Sequence, residues 1–194
     1  MSEYSIAVLV GSLRRDSLNR KMATALAQLA PPPWSFNQIR IDDLPPYNQD
    51  DEGRPSAPVR RLKAEITSSS GVLFVTPEYN RSIPGVLKNA IDHASRPYGE
   101  SVWAGKPAGI VGVSVGVIGT AVAQQHLRTI LAYLDMPTLG QPEAFLQGKD
   151  GLFDAVGAIG TQSRPFLQGW MDRYVAWVTR LTAIEPELGV EAVL

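Results

Sequence analysis

The chain has 194 residues, 44% of them hydrophobic and 19% charged, with a formal charge of −1 and no cysteine. Such a chain buries a core of its own, and it excludes disulfides, thiolate metal sites and a global basic field that would gather nucleic acid or an anionic membrane. It opens without a basic, apolar leader and holds no apolar run near the roughly 18 residues that cross a bilayer; the expectation is a cytoplasmic protein with no membrane span, folded as one domain over residues 1–194.

Ser5–Val10 is a compact apolar run and predicts a first strand. From Leu18 the apolar positions Met22, Ala25, Leu26 and Leu29 fall on one helical face, which Pro31-Pro-Pro stops. Phe36–Ile41 reads as a second strand and Asp42–Pro58 as a polar, Pro-rich loop. Val59, Leu62 and Ile66 mark a second helix, and Gly71–Thr76 a buried third strand. Pro84 suits a helix first turn, with Val86, Leu87, Ala90, Ile91 and Ala94 as the apolar face behind it. Ala108–Val113 is the fourth strand; Val122, Leu127, Ile130, Leu131 and Leu134 pattern a long helix; Met136–Leu139 is the expected fifth strand. A last helix runs from about Arg164 to Ala183, with Leu167, Trp170, Met171, Tyr174, Val178 and Leu181 inward.

Nearly continuous apolar strands alternating with helices imply a parallel sheet covered on both faces. Five such units fit an α/β, flavodoxin-like, doubly wound five-stranded sheet of order 2-1-3-4-5. Ligands of such sheets bind beyond the carboxyl ends of the strands. The loops Gly11–Ser17, Pro77–Pro84 and Ser114–Gly119 are therefore expected to meet at one crevice.

The first of these loops reads Gly11-Ser-Leu-Arg-Arg-Asp-Ser-Leu-Asn19 and leads into the first helix. Unpaired N–H groups at a helix start favour an anion, Gly11 allows close approach, the hydroxyls of Ser12 and Ser17 donate, and Arg14 adds a charge-assisted contact. The competing reading makes Ser17 or Asp16 an N-cap and leaves Arg14 and Arg15 as solvated charges. Neither G-x-x-x-x-G-K-[ST] nor G-x-G-x-x-G occurs, so the anion narrows to a mononucleotide phosphate. A rival motif, Gly112-Val-Ser-Val-Gly116, matches the G-x-S-x-G nucleophile elbow of serine hydrolases. Only His93 and His126 are present, however, and no acidic residue lies between Ser114 and His126.

With these loops in hand the chain resembles the NADPH-dependent FMN reductase family, in particular its bacterial quinone and chromate reductases. The resemblance rests on Gly11-Ser-Leu-Arg14 with Ser17-Leu-Asn19, on Thr76-Pro-Glu-Tyr-Asn80 with Ile83-Pro-Gly85 and Leu87-Lys-Asn-Ala-Ile-Asp92, and on Gly105-Lys-Pro107 with Ser114-Val-Gly-Val-Ile-Gly119. It spans Ile6 to about Glu143. One departure is Gln125, before His126-Leu-Arg128, where some members carry an aromatic residue.

The resemblance implies FMN as cofactor and NADPH or NADH as co-substrate. Gly11, Ser12, Leu13, Arg14, Ser17, Leu18 and Asn19 would take its phosphate and ribityl end. Pro77, Glu78, Tyr79 and Asn80 would line the isoalloxazine, and Ser114 and Gly116 would approach its pyrimidine edge. No metal and no titratable catalytic side chain are expected, because the flavin carries the hydride chemistry. The implied acceptor is a small molecule, a quinone or, by family likeness alone, a chromate, azo or nitro compound, and the implied assembly is a homo-oligomer, dimer or tetramer. A flavodoxin-type electron carrier is the non-enzymatic alternative; it would dock partner proteins through an acidic face, which the balanced charge does not supply.

Overall fold

The computed structural model describes residues 4–32 and 34–183. In chain order these form β1 (Tyr4–Val10), α1 (Leu18–Ala27), β2 (Trp34–Gln38), α2 (Ala57–Thr67), β3 (Gly71–Val75), α3 (Gly85–Ala94), β4 (Ala108–Ser114), α4 (Ala121–Tyr133), β5 (Ala144–Gln147) and α5 (Arg164–Thr182). The strands pair in parallel in the order β2-β1-β3-β4-β5, which is the expected flavodoxin-like arrangement.

Alternation along each strand explains why the sheet is covered twice. Ile6, Val8 and Val10 of β1 and Leu73 and Val75 of β3 pack with Met22 and Leu26 of α1 and with Trp170, Tyr174 and Val178 of α5. Ala7, Leu9, Val72 and Phe74 face the other way, against Leu62 and Ile66 of α2, Leu87 and Ile91 of α3, and Leu127 and Leu131 of α4. Trp103 and Trp170 are both fully buried, and the Trp103 indole Nε1 donates to the Ile91 carbonyl at 3.0 Å.

Two expected elements shift. β2 lies at Trp34–Gln38 rather than Phe36–Ile41; Trp34 stacks on Tyr4 at 4.5 Å between centroids, in register with it. Ile39 and Ile41 are apolar because they turn into the core beside α2 and α3, not because they extend the strand. The fifth strand is Ala144–Gln147, and Met136–Leu139 is not a strand. That segment makes a single bridge, Thr138 opposite Ala108. Pro137 has no N–H to donate, so the ladder cannot extend through it. Met136 and Leu139 are nevertheless buried, and the chain rejoins β4 four residues beyond Gly140, with Ala144 opposite Val111. Pro84 also sits just outside α3, at its N-cap, rather than within the first turn.

Candidate active site at the carboxyl edge of the sheet

The first loop leaves β1 pressed against β3: the Gly11 N–H donates to the Val75 carbonyl at 2.9 Å. A side chain at Gly11 would meet Thr76 Oγ1 at 3.1 Å and Leu87 Cδ2 at 3.3 Å, so glycine keeps the first and third loops close. Ser17 caps α1, its buried Oγ accepting from the Arg20 N–H at 3.2 Å. The Leu18 and Asn19 N–H groups ahead of it, having no intrahelical acceptor, remain available to an anion, whereas the Lys21 N–H donates to the Ser17 carbonyl at 3.1 Å. Arg14 is exposed, and its guanidinium has no ion pair or hydrogen bond among the described residues.

Asn19 has another task. Its Nδ2 donates to the Val113 carbonyl and its Oδ1 accepts from the Val113 N–H, both at 2.9 Å and both buried. The register of β3 with β4 ends at Val75 opposite Val111. Beyond that point the Asn19 amide stands in for the missing strand neighbour and ties α1 to the end of β4.

The third loop turns tightly. Tyr79 and Ser82 exchange two backbone hydrogen bonds of 3.0 Å, and the central residues Asn80 and Arg81 have φ of 50° and 64°. This is a two-residue hairpin of the primed type, for which asparagine is suited. Glu78, on its entering arm, is nearly buried; Oε2 accepts from the Val122 and Ala123 N–H groups at 3.0 Å each, and Oε1 pairs with Arg81 at 3.2 Å. Thr120, the residue at the N-cap of α4, makes no side-chain cap bond. Glu78 is thus the cap of α4 supplied from a different loop, and it fastens the third loop to the fourth.

In the fourth loop Ser114 Oγ accepts from the Gly116 N–H at 3.1 Å, while Val115, Val117 and Ile118 are exposed. The hydrolase reading finds no partners: His126 Nδ1 lies 3.1 Å from Ser82 Oγ and His93 Nε2 lies 2.9 Å from the Pro45 carbonyl. Gly112 has a packing reason instead, since a Cβ there would sit 2.1 Å from Thr120 Oγ1 and 2.4 Å from the Thr76 carbonyl. Farther along α4, Gln125 Nε2 donates to Glu143 Oε1 at 3.0 Å and Arg128 Nη1 to the Leu139 carbonyl at 2.9 Å. Burial lowers the Arg128 pKa from its ordinary value, with Glu143 opposing.

The three loops do meet. Ser12, Arg14, Ser17, Leu18, Asn19, Pro77, Glu78, Tyr79 and Ser114 line one cavity of about 140 Å³, joined by Val113 and Val115, which the sequence analysis did not single out. Gly11, Leu13, Asn80 and Gly116 are not part of that lining; Leu13 faces a neighbouring depression beside β2. A larger concavity of about 560 Å³, lined among others by Tyr47, Lys63, His93 and Arg96, lies apart from these loops between the Pro-rich segment and the end of α3. Among the described residues no group of three or more His, Asp or Glu is placed to hold a metal ion, and no helix is long and apolar enough to cross a membrane.

The family model for NADPH-dependent FMN reductases matches residues 4–150, which include all three loops. The chain belongs to this family. It is 53% identical over 174 residues to a 2-hydroxy-1,4-benzoquinone reductase of a Burkholderia species, covering 89% of this chain and 95% of that one. It is 52% identical over 176 residues to a quinone reductase of Pseudomonas putida, covering 90% and 95%. Among solved structures it is similar to the flavoenzyme NAD(P)H:(acceptor) oxidoreductase FerB of Paracoccus denitrificans, with a TM-score of 0.88, 44% identity, and coverage of 91% of this chain and 98% of that one.

The residues present fit the cofactor of the family. A cavity of about 140 Å³ is below the roughly 300–1,000 Å³ of an enclosed ligand pocket. Ser12, Arg14 and Ser17 offer the donors that a phosphate needs at one end, while Tyr79, which is 47% exposed, and Val115 leave the other end open enough for a flat ring. The small, unobstructed Gly116, with no atom nearer than 3.6 Å to an added Cβ, leaves the backbone accessible at the far edge.

Proposed function

We propose that this protein is an FMN-dependent NAD(P)H oxidoreductase that reduces quinones, or acceptors of similar shape, by two electrons. The observation that carries the reading is the single crevice at the carboxyl ends of β1, β3 and β4, with an anion-ready helix start at one end and an open, partly apolar shelf at the other. When bound, FMN supplies the redox chemistry. The α1 N-terminus, Ser12, Ser17 and Arg14 hold the phosphate; Pro77, Tyr79 and Ser114 seat the ring; Glu78 and Asn19 keep the three loops in mutual register. Gly11, Leu13, Leu18, Asn80 and Gly116 contribute backbone shape rather than functional groups. The quinone reductases among its relatives support the acceptor class.

The exposed Val115, Val117 and Ile118 beside the crevice support a homo-oligomer in which a second copy shelters this edge. We place the protein in the cytoplasm, where reduced nicotinamide is supplied, and treat its residues as one functional domain.

The deciding experiment follows NADPH oxidation by purified, FMN-loaded protein with and without 1,4-benzoquinone. Turnover should require the quinone and give parallel double-reciprocal lines, the signature of a shared site used twice. Firm FMN binding without quinone-dependent turnover would reject the enzyme in favour of an electron carrier.

A further inference from the structure

Arg14 and Arg15 are adjacent in sequence but serve different hollows. Arg14 lines the flavin crevice, whereas Arg15 lines a separate groove of about 290 Å³ on the outer side of α1, with Arg20, Lys21, Gln28, Val156 and Gly157. Ser17 lines both, so the two hollows are neighbours across the start of α1. Three cations and no carboxylate line it. Arg15 and Lys21 have no ion pair among the described residues, and Arg20 donates only to the Arg14 carbonyl, at 3.4 Å.

The placement runs against the helix's own field. The first turn of α1 contains no acidic residue, yet it carries Arg20 and Lys21, and cations there are disfavoured by the positive end of the macrodipole. A local preference broken without internal compensation marks a site where an external group supplies it. The depression on the β2 side lacks this character. It shares Arg20 with the groove but also holds Asp42, which pairs with Arg40 at 2.8 Å. The groove's opposite wall is firm as well: Asp154 Oδ1 accepts from the Val156 and Ala158 N–H groups at 3.0 and 2.9 Å, which turns that carboxylate into its own loop and sets Val156, 89% exposed, as an apolar ledge.

FMN brings one phosphate, and the α1 N-terminus with Arg14 accounts for it. NADPH differs from NADH by one further phosphate, on the adenosine ribose. We propose that the groove between α1 and the loop following β5 binds the 2′-phosphate of NADPH, through Arg15, Arg20 and Lys21, and so selects NADPH over NADH. Guanidinium and ammonium groups suit a phosphate dianion, and Val156 offers a surface for the adenine. The inference rests on the NAD(P)H reading of the neighbouring crevice.

The test uses FMN-loaded protein and two fragments, adenosine 2′,5′-bisphosphate and 5′-AMP, titrated calorimetrically. The bisphosphate should bind the native protein about tenfold more tightly, one charge-assisted contact being of that order. In the Arg15→Ala/Lys21→Ala double variant, both sites being exposed, that preference should vanish, and Arg15→Lys should retain part of it. In steady state the double variant should raise KM for NADPH about tenfold more than KM for NADH, again the size of one such contact. Equal affinity for the two fragments in the native protein, survival of the preference in the double variant, or release of FMN from it would each overturn the proposal. If the preference for the bisphosphate is present but neither nicotinamide reduces a quinone, the groove stands and the oxidoreductase reading fails; turnover without the preference rejects the groove alone.

Discussion

Arg14 carries a full charge at the mouth of the crevice with nothing in the described fold to balance it. Its removal should therefore affect ligand far more than fold. A hydrogen bond to a charged group is worth about 1.5–3 kcal/mol, so Arg14→Ala should weaken FMN binding on the order of tenfold to a hundredfold, read by flavin fluorescence quenching as FMN is added to apoprotein, with the melting temperature of the apoprotein little changed. At this scale the sequence was legible in bringing Ser12, Arg14 and Ser17 to the wall of one crevice, since they share one loop. The hydrogen bonds of Asn19 to Val113 were not legible, because the two residues lie 94 positions apart. A separation of 44 positions from Val122 likewise hid the capping by Glu78, though one cue existed: α4 opens with Thr120-Ala-Val-Ala and has no acidic residue in its first turn.

That cap belongs to the scale of the element. Two N–H groups of α4 depend on one carboxylate from the third loop, and losing a helix cap costs about 0.5–2 kcal/mol. Glu78→Ala should accelerate amide exchange at Val122 and Ala123 while leaving the middle of α4 protected, and Glu78→Gln, which keeps an acceptor, should fall between. Exchange confined to the β5 side of the sheet instead would contradict this assignment. The strands divide along similar lines. β1, β3 and β4 are central, buried on both faces, and their continuous apolar runs announce them. β2 and β5 are edges, where burial is shared with loops; Ile41 and Leu139 are as buried as strand residues without belonging to one. At Met136–Leu139 the apolar pattern reports packing correctly, and Pro137 decides the hydrogen bonding.

At the scale of the whole molecule, an ion pair ties α2, on one face of the sheet, to the peripheral Pro-rich segment, and it gives a pH signature. Asp43 and Arg61 of α2 lie 2.8 Å apart. The hydrogen bond from Arg61, ahead of the Coulomb attraction, holds the Asp43 carboxyl below its ordinary range. A carboxylate depressed in the fold binds its proton more readily when unfolded, so its stabilisation is complete above the unfolded value, near pH 4, and is lost as pH falls through the folded one. Asp43→Asn should accordingly lower stability at pH 7 and flatten the decline below about pH 4, measured by urea melts from pH 7 to pH 3. The global topology was legible throughout because it follows from alternation, element length and the handedness of parallel crossovers, none of which depends on the details of an edge.

Gly112 carries a lesson for anyone mining genomes by short signature. It is glycine because helix α4 brings Thr120 up against the fourth strand, and Gly116 is glycine where a flat ligand would pass; between them a serine bonds its own turn. The resulting five letters coincide with those of an unrelated esterase. A chain built on this plan can produce the same coincidence, so a survey for hydrolases should discard hits whose first glycine is followed eight residues later by a threonine and whose third strand is followed by Thr-Pro-Glu-Tyr-Asn.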